Sequence, residues 1–248
     1  MPKETLVNRL KEQNISVEVD FEKLEDYYNL LKEWNEKIDL TNIIEEDEVY
    51  LKHFLDSLTL FKIPEFNEKK TLVDIGTGAG FPGIVLKTAN DSLDITLLDS
   101  LNKRLIFLDE VINELNLENI KTVHTRGEEA GLDDEFREKF DIGVSRAVSR
   151  LNKLAEISLP LIKVGGIFVA MKGKNTKEEI TEGEIAIEEL GGKIREVIEF
   201  ELIPGDHERT LVVIEKISPT PKKYPRPFGK IKNSPLKWKM FHVKQLGR

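Results

Sequence analysis

The chain has no cysteine among its 248 residues. That excludes a thiolate nucleophile, cysteine-ligated zinc and any iron–sulfur cluster held by the protein. Histidine is scarce too, with four in all and none beside another in sequence, so no metal site is expected. No apolar run approaches the roughly 20 residues that a membrane helix needs. The N-terminus MPKETLVNRLKEQN is charged where a secretion signal would carry its apolar block. A cytoplasmic protein is expected. The last deficit is local. From Ser218 to Arg248 there are nine Lys/Arg and no Asp or Glu, so the preceding 217 residues hold 28 basic and 45 acidic side chains, net −17. A basic tail on an acidic body fits a polyanionic partner.

What is present supports a full core. Hydrophobic residues make up 40% of the chain, whose length suits one large domain with an extension. Residues 20–61 read as helical. Leu24, Tyr27, Tyr28, Leu31 and Trp34 recur at helical spacing, and a second apolar face runs through Val49, Phe54, Leu55 and Leu58. Between them KIDLTNI reads as a turn, with Thr41 or Asn42 available to cap the next helix. From residue 71 strands and helices alternate. TLVDI, DITLLD, IKTVH, FDIGVS and IFVAMK are strand candidates, separated by the helical stretches PGIVLKTA, LNKRLIFLDEVINELN and LNKLAEISLPLIK. Near-continuously apolar strands separated by helices predict an α/β doubly wound, mostly parallel sheet covered on both faces. After a polar helix around 175–190, IREVIEFELI and TLVVIEKI follow one another without a helix, so one of them should run antiparallel. The expected division is a helical extension over 1–66, an α/β domain over 67–217 and a basic, proline-containing tail over 218–248.

The stretch TLVDIGTGAGFPG places four glycines directly after the first strand. Read as Gly78-Ala-Gly80-Phe-Pro-Gly83 it matches the dinucleotide fingerprint, with Asp99 about 20 residues on to hold a ribose. Read as Asp74-Ile-Gly76-Thr-Gly78-Ala-Gly80 it is the loop that S-adenosylmethionine (SAM) enzymes place after their first strand. Charge separates the two readings. Asp74 near a diphosphate would be repulsive, whereas SAM is cationic at sulfur and amine. Gly76 and Gly78 would let the backbone pass beneath the methionine moiety, and Asp99 would accept from the ribose hydroxyls in either case. Five parallel units closing on a hairpin also suit a class I SAM-dependent methyltransferase better than a six-stranded parallel dinucleotide domain. A glycine-rich turn without a ligand is the bland alternative, but four glycines are entropically wasteful for a mere connection.

Taken together, LLKEWNEKIDLTNI, YLKHFLDSL, VDIGTGAGFPGIVL, LLDSLNKRLIFL, VSRAVSRL and TPKKYPR closely resemble the GidB/RsmG family of bacterial ribosomal RNA methyltransferases. The motifs run in order from Leu30 to Arg226. The resemblance implies a Rossmann-like class I fold and methyl transfer from SAM to guanine N7 of 16S RNA in the small (30S) subunit, at the guanosine conventionally numbered 527. It also implies cofactor contacts at Gly76, Phe81, Gly127, Glu128 and Arg146, to which the charge argument adds Gly78 and Asp99. Gly127 stands where the family commonly has alanine, and only its backbone is expected to matter.

The local chemistry agrees. Methylating an exocyclic amine calls for an acceptor group after the fourth strand, yet that position reads Val144-Ser145-Arg146-Ala147-Val148, with no acid, proline or aromatic. Guanine N7 carries a free lone pair and needs alignment rather than a general base. No catalytic base is therefore expected. N7 lies in the deep groove of A-form RNA, so the target should sit in a loop or be extruded. Arg146 is expected to contact cofactor or RNA ahead of forming a structural ion pair, Lys172 reads equally as a phosphate contact or an exposed strand-end lysine, and His53 reads as a packed helix residue. Lys222, Lys223 and Arg226, among prolines, are expected on an extended and exposed tail that meets RNA phosphates. The final KWKMFHVKQLGR departs from the family's expected end. MFHVKQ can be encoded by DNA containing the inverted repeat TGTTTCACGTGAAACA, so this end is read as a DNA-level by-product, against a plain RNA-binding end. A monomer is expected. Two rivals remain open: a small-molecule methyltransferase, which the basic tail disfavours, and a noncatalytic RNA-binding assembly factor, which the intact Gly76, Gly78 and Asp99 disfavour.

Overall fold

A computed structural model of the chain describes residues 2–146, 149–174 and 176–236. The reading of KWKMFHVKQLGR lies outside the described residues. At the N-terminus α1 (Pro2–Glu12) and α2 (Phe21–Asn35) precede a broken helical segment. That segment comprises α3 (Glu46–Val49), a π-helical turn over Tyr50–Leu55 and α4 (Asp56–Leu58), then two 3-10 turns ending at Asn67. Asp20 caps α2 by accepting from the Lys23 N–H at 3.1 Å. Neither Thr41 nor Asn42 caps the next helix, which starts at Glu46 without a side-chain cap. Thr41 instead turns inward, accepting from the Ile43 N–H at 3.1 Å and meeting His53 Nε2 at 2.9 Å.

The sheet follows. β1 (Thr71–Ile75), α5 (Gly83–Ala89), β2 (Asp94–Asp99), α6 (Asn102–Glu114), β3 (Ile120–His124), α7 (Gly127–Ala130), β4 (Phe140–Arg146) and α8 (Leu151–Ser158) alternate as expected. They continue with β5 (Ile162–Lys172), α9 (Lys177–Glu189), β6 (Gly192–Ile203), β7 (Asp206–Lys216) and α10 (Phe228–Asn233). The strand order is β3-β2-β1-β4-β5-β7-β6, parallel from β1 to β5, with β7 antiparallel to both of its neighbours. The stretch LNKLAEISLPLIK is shorter as a helix than its periodicity suggests. α8 stops at Ser158, a 3-10 turn spans Leu159–Leu161, and β5 already begins at Ile162. Pro160 is the physical reason, because it lacks the N–H that a continuing helix requires.

Alternate strand residues feed opposite faces. Leu72, Ile95, Leu97, Val144 and Val169 join the buried side chains of the N-terminal helices, including Leu24, Tyr27, Phe54 and Leu58. Val73, Ile75, Leu98, Phe168 and Ala170 pack with Leu154 of α8 and Ile187 of α9. The first 66 residues thus share one core with a sheet face. The order reverses between β1 and β4, and a crevice opens beyond the carboxyl ends of the strands at that switch point. No helix among the described residues is long and apolar enough to cross a membrane.

Candidate active site

The loop after β1 is built by its own residues first. Gly76, Gly78 and Gly80 adopt φ of 71°, 62° and 96°, a region that side-chain-bearing residues avoid. Asp74 is fully buried; its Oδ2 accepts from the Thr77 hydroxyl at 2.8 Å and the Gly83 N–H at 2.9 Å. Burial pushes its carboxyl up to about 6. Asp74 therefore organises the loop through Oδ2, while its Oδ1 is buried without a hydrogen-bond partner. The N-terminal helices clasp the same loop. The Tyr27 hydroxyl donates to the Ala79 carbonyl, and a Cβ on Gly80 would lie 2.7 Å from that hydroxyl.

Beside the loop lies a cavity of about 430 Å³. Its wall runs across the strand ends in the order of the sheet: Arg146 from β4, Gly76 after β1, Asp99 from β2, then Arg126, Gly127 and Glu128 after β3. Asp99 is 3% exposed; Oδ2 accepts from the Gly78 N–H and Oδ1 from the Leu101 N–H, each at 2.9 Å, and Arg104 lies 3.3 Å from Oδ2. Each oxygen keeps acceptor capacity toward the cavity. A Cβ at Gly78 would meet nothing within 4 Å, so that glycine leaves open space. Two polar atoms in the wall, Glu128 Oε1 and Arg104 Nε, are buried without a hydrogen-bond partner. A cavity with unused acceptors, an unused donor and a bare loop fits a nucleoside carrying a charged amino-acid arm. Gly127 departs from expectation. A Cβ there would sit 2.4 Å from Ile157 Cγ2, so the glycine is required by packing against α8 and not merely tolerated.

Arg146 also lines a second cavity of about 530 Å³, with Lys52, His53, Asp56, Lys172 and Arg209 in its wall. Asp56, 4% exposed, holds two guanidinium groups, Arg146 at 3.2 Å and Arg209 at 2.8 Å. Arg146 further donates to the Lys52 carbonyl at 3.2 Å and to His53 Nδ1 at 3.1 Å. Because arginine can only donate, His53 Nδ1 must accept, which places the imidazole proton on Nε2 facing Thr41. Burial and the Arg146 cation lower the His53 pKa to about 3, so the ring is neutral. Phe81 is buried behind this wall, stacked on His53 at 4.3 Å between centroids, with the Arg146 guanidinium 5.0 Å over its ring. Lys172 is paired with Glu179 at 2.8 Å. A wider groove of about 700 Å³ on the β6–β7 hairpin is lined by Glu178, Glu199, Glu201 and Glu208 against Lys174, Lys177 and Arg209, so it carries no basic excess for a polyanion.

The tail is not an extended arm over its described part. Lys222 is exposed; Lys223, 65% exposed, pairs with Glu189 at 3.0 Å. Arg226 forms a two-pronged pair with the fully buried Glu156, at 2.8 and 2.7 Å, so the expectation of exposure fails there. Sequence reading missed Asp56, Arg209, Arg126 and Phe228 as site residues. The signal for Asp56 was its place in YLKHFLDSL, beside the already noted His53.

A parallel sheet reversed only at β7, a glycine loop after β1 and an acid closing β2 define a class I SAM-dependent methyltransferase. The family model described as GidB, rRNA small subunit methyltransferase G, matches residues 20–206, and the chain belongs to that family. Its methyl donor is SAM. The ribosomal RNA small subunit methyltransferase G of Clostridium tetani (strain Massachusetts / E88) is 51% identical over 211 residues, covering 85% of this chain and 88% of that protein. The protein of the same name from Lachnoclostridium phytofermentans is 53% identical over 215 residues, covering 87% and 89%. Among solved structures, the ribosomal protein L11 methylase of Lactobacillus delbrueckii subsp. bulgaricus aligns with a TM-score of 0.51 at 16% identity, over 67% of this chain and 79% of that one. That likeness concerns the fold alone.

Proposed function

We propose that this chain transfers the SAM methyl group to N7 of a guanine in 16S RNA, at the guanosine conventionally numbered 527 in the family, acting as a cytoplasmic monomer on the small subunit. The observation that carries the reading is that two cavities meet at Arg146. One suits the nucleoside cofactor; the other, rimmed by Lys52, Arg146, Lys172 and Arg209, suits a base on an anionic strand. The names of the relatives support ribosomal RNA as the substrate class.

SAM supplies an electrophilic methyl on a cationic sulfur. The chain's part is to bind and align. Gly76 and Gly78 let backbone lie under the methionine arm, Asp99 accepts from ribose hydroxyls, and Gly127 and Glu128 hold the far end. Arg146 and the Phe81 beneath it form the partition between donor and acceptor. Three described residues in the second cavity's wall could act as a base, and each is engaged, His207 included. His53 has both ring nitrogens occupied and Asp56 both oxygens. A site without a free base suits an acceptor with its own lone pair, and N7 of guanine is one. Lys222 and Lys223 remain the tail's RNA contacts in this reading, whereas Arg226 is committed to Glu156. The test is chemical. RNA modified by this chain with SAM should break at the modified guanine after reduction and aniline treatment. A methylated product that resists cleavage would overturn N7 while leaving methyl transfer intact.

A further inference from the structure

Residues 217–227 run as a strap across α8 and α9, held by buried charges. Lys216, fully buried, donates to the Leu159 carbonyl at 2.7 Å and the Thr220 hydroxyl at 2.6 Å, and pairs with Glu138 at 3.2 Å. Arg137 donates to the carbonyls of Thr220 and Tyr224, at 2.8 and 2.9 Å. Arg226 locks onto Glu156, next to Ile157 in the cofactor cavity's wall. Two residues further on, Phe228 joins that wall while remaining 43% exposed, with the Arg126 guanidinium 5.3 Å from its ring centre.

The order of the wall says which end of the cofactor Phe228 meets. The transferable methyl must face the second cavity, which adjoins at Arg146 by β4. Asp99, at β2, takes the ribose in the middle. The purine is left the β3 end, where Arg126, Gly127 and Phe228 lie. We propose that Phe228 is a cofactor-affinity residue that covers the adenine of SAM, and that the Arg226–Glu156 lock positions it there. A large aromatic half-open at a cavity mouth is a ready stacking platform for a planar base. The proposal rests on the family's cofactor and not on the identity of the acceptor base.

The test is calorimetric titration of the full chain with SAM and with 5′-methylthioadenosine, which keeps the adenosine and lacks the amino-acid arm. Phe228→Ala should weaken both ligands by about tenfold, the range typical of removing base–aromatic stacking, with little change in Tm because the side chain is half exposed. Phe228→Trp should retain affinity and gain an emission component, absent from the wild type, that SAM quenches. Arg226→Ala should weaken SAM through the same route, so the double variant should bind no more weakly than the worse single one. Wild-type affinity in Phe228→Ala, a loss confined to SAM, or unquenched emission in Phe228→Trp would overturn the proposal. Full additivity of the two losses would overturn the positioning role of Arg226. A wild-type chain that binds no SAM would overturn the cofactor assignment itself.

Discussion

Asp99 ties the cofactor loop to itself as well as facing the cavity. Its oxygens hold the Gly78 and Leu101 N–H groups, so replacing it would loosen the loop and remove the proposed ribose acceptor together. Asp99→Ala should lose about 1.5–3 kcal/mol of SAM binding, the scale of a charge-assisted acceptor, in a chain that still folds. Unchanged affinity by calorimetry would remove Asp99 from the site. His53 gives the residue scale its pH signature. Its folded pKa is lowered from 6.5 to about 3, so between those values the native state binds fewer protons than the unfolded chain. The stability it contributes is complete above 6.5 and is lost as pH falls toward 3. Going from about pH 7 to about pH 5 should cost roughly 2 kcal/mol through this group. In His53→Gln that part of the slope should vanish. Denaturant titrations at the two pH values measure it, and an identical slope in both proteins would contradict a neutral His53 held by Arg146.

At the scale of elements, the tightest constraint is the approach of α7 to α8. With Ile157 Cγ2 only 2.4 Å from a Cβ at Gly127, Gly127→Ala should cost about 1–3 kcal/mol by overpacking. Adding Ile157→Ala should recover part of that loss, and a Gly127→Ala chain as stable as wild type by thermal melting would show that the helices shift freely. Reading Gly127 as a backbone contact alone leaves out its packing partner, which lies 30 residues on in sequence. The same distance problem separates what was legible from what was not. β1 and β2 matched their apolar runs residue for residue, because parallel strands buried on both faces leave continuous hydrophobic stretches. The place of Gly76 and Asp99 in one cavity wall was legible because loop chemistry is local. The Arg146–Asp56–Arg209 cluster joins residues 90 and 153 positions apart, and no periodicity records such a pairing. The strap was misread because prolines signal an extended chain, whereas Lys216 of β7, Arg137 of the turn before β4 and Glu156 of α8 bind it down.

The whole molecule sets a body of net −17 against a tail that carries nine cations. Such a body repels RNA, so association must depend on local basic surface. On the described part of the tail Lys230 and Lys232 are exposed as well, and the surface to test first is Lys222 and Lys223, the latter 65% exposed even while paired with Glu189, whereas Arg226 is held against the buried Glu156. Changing Lys222 and Lys223 to Ala should lower RNA affinity and flatten its salt dependence. The flattening should be about 0.7 log units per log unit of salt for each single-strand phosphate that the variant no longer neutralises. SAM affinity should stay as in wild type, in contrast to Arg226→Ala. Equal salt slopes in filter binding would refute the role of Lys222 and Lys223 and leave Lys230, Lys232 and the second cavity's rim as the RNA-binding surface.

The central claim joins a cofactor, an RNA and one atom of one base. Its most direct test is transfer of tritiated methyl from SAM to 30S particles, naked 16S RNA and 50S particles, followed by digestion and identification of the labelled nucleoside. The account predicts label in 16S RNA, alone or within 30S particles, none in 50S particles, and 7-methylguanosine as the labelled product. Label on another nucleoside, label in 50S RNA, or no transfer to either form of 16S RNA by a chain that binds SAM would contradict it.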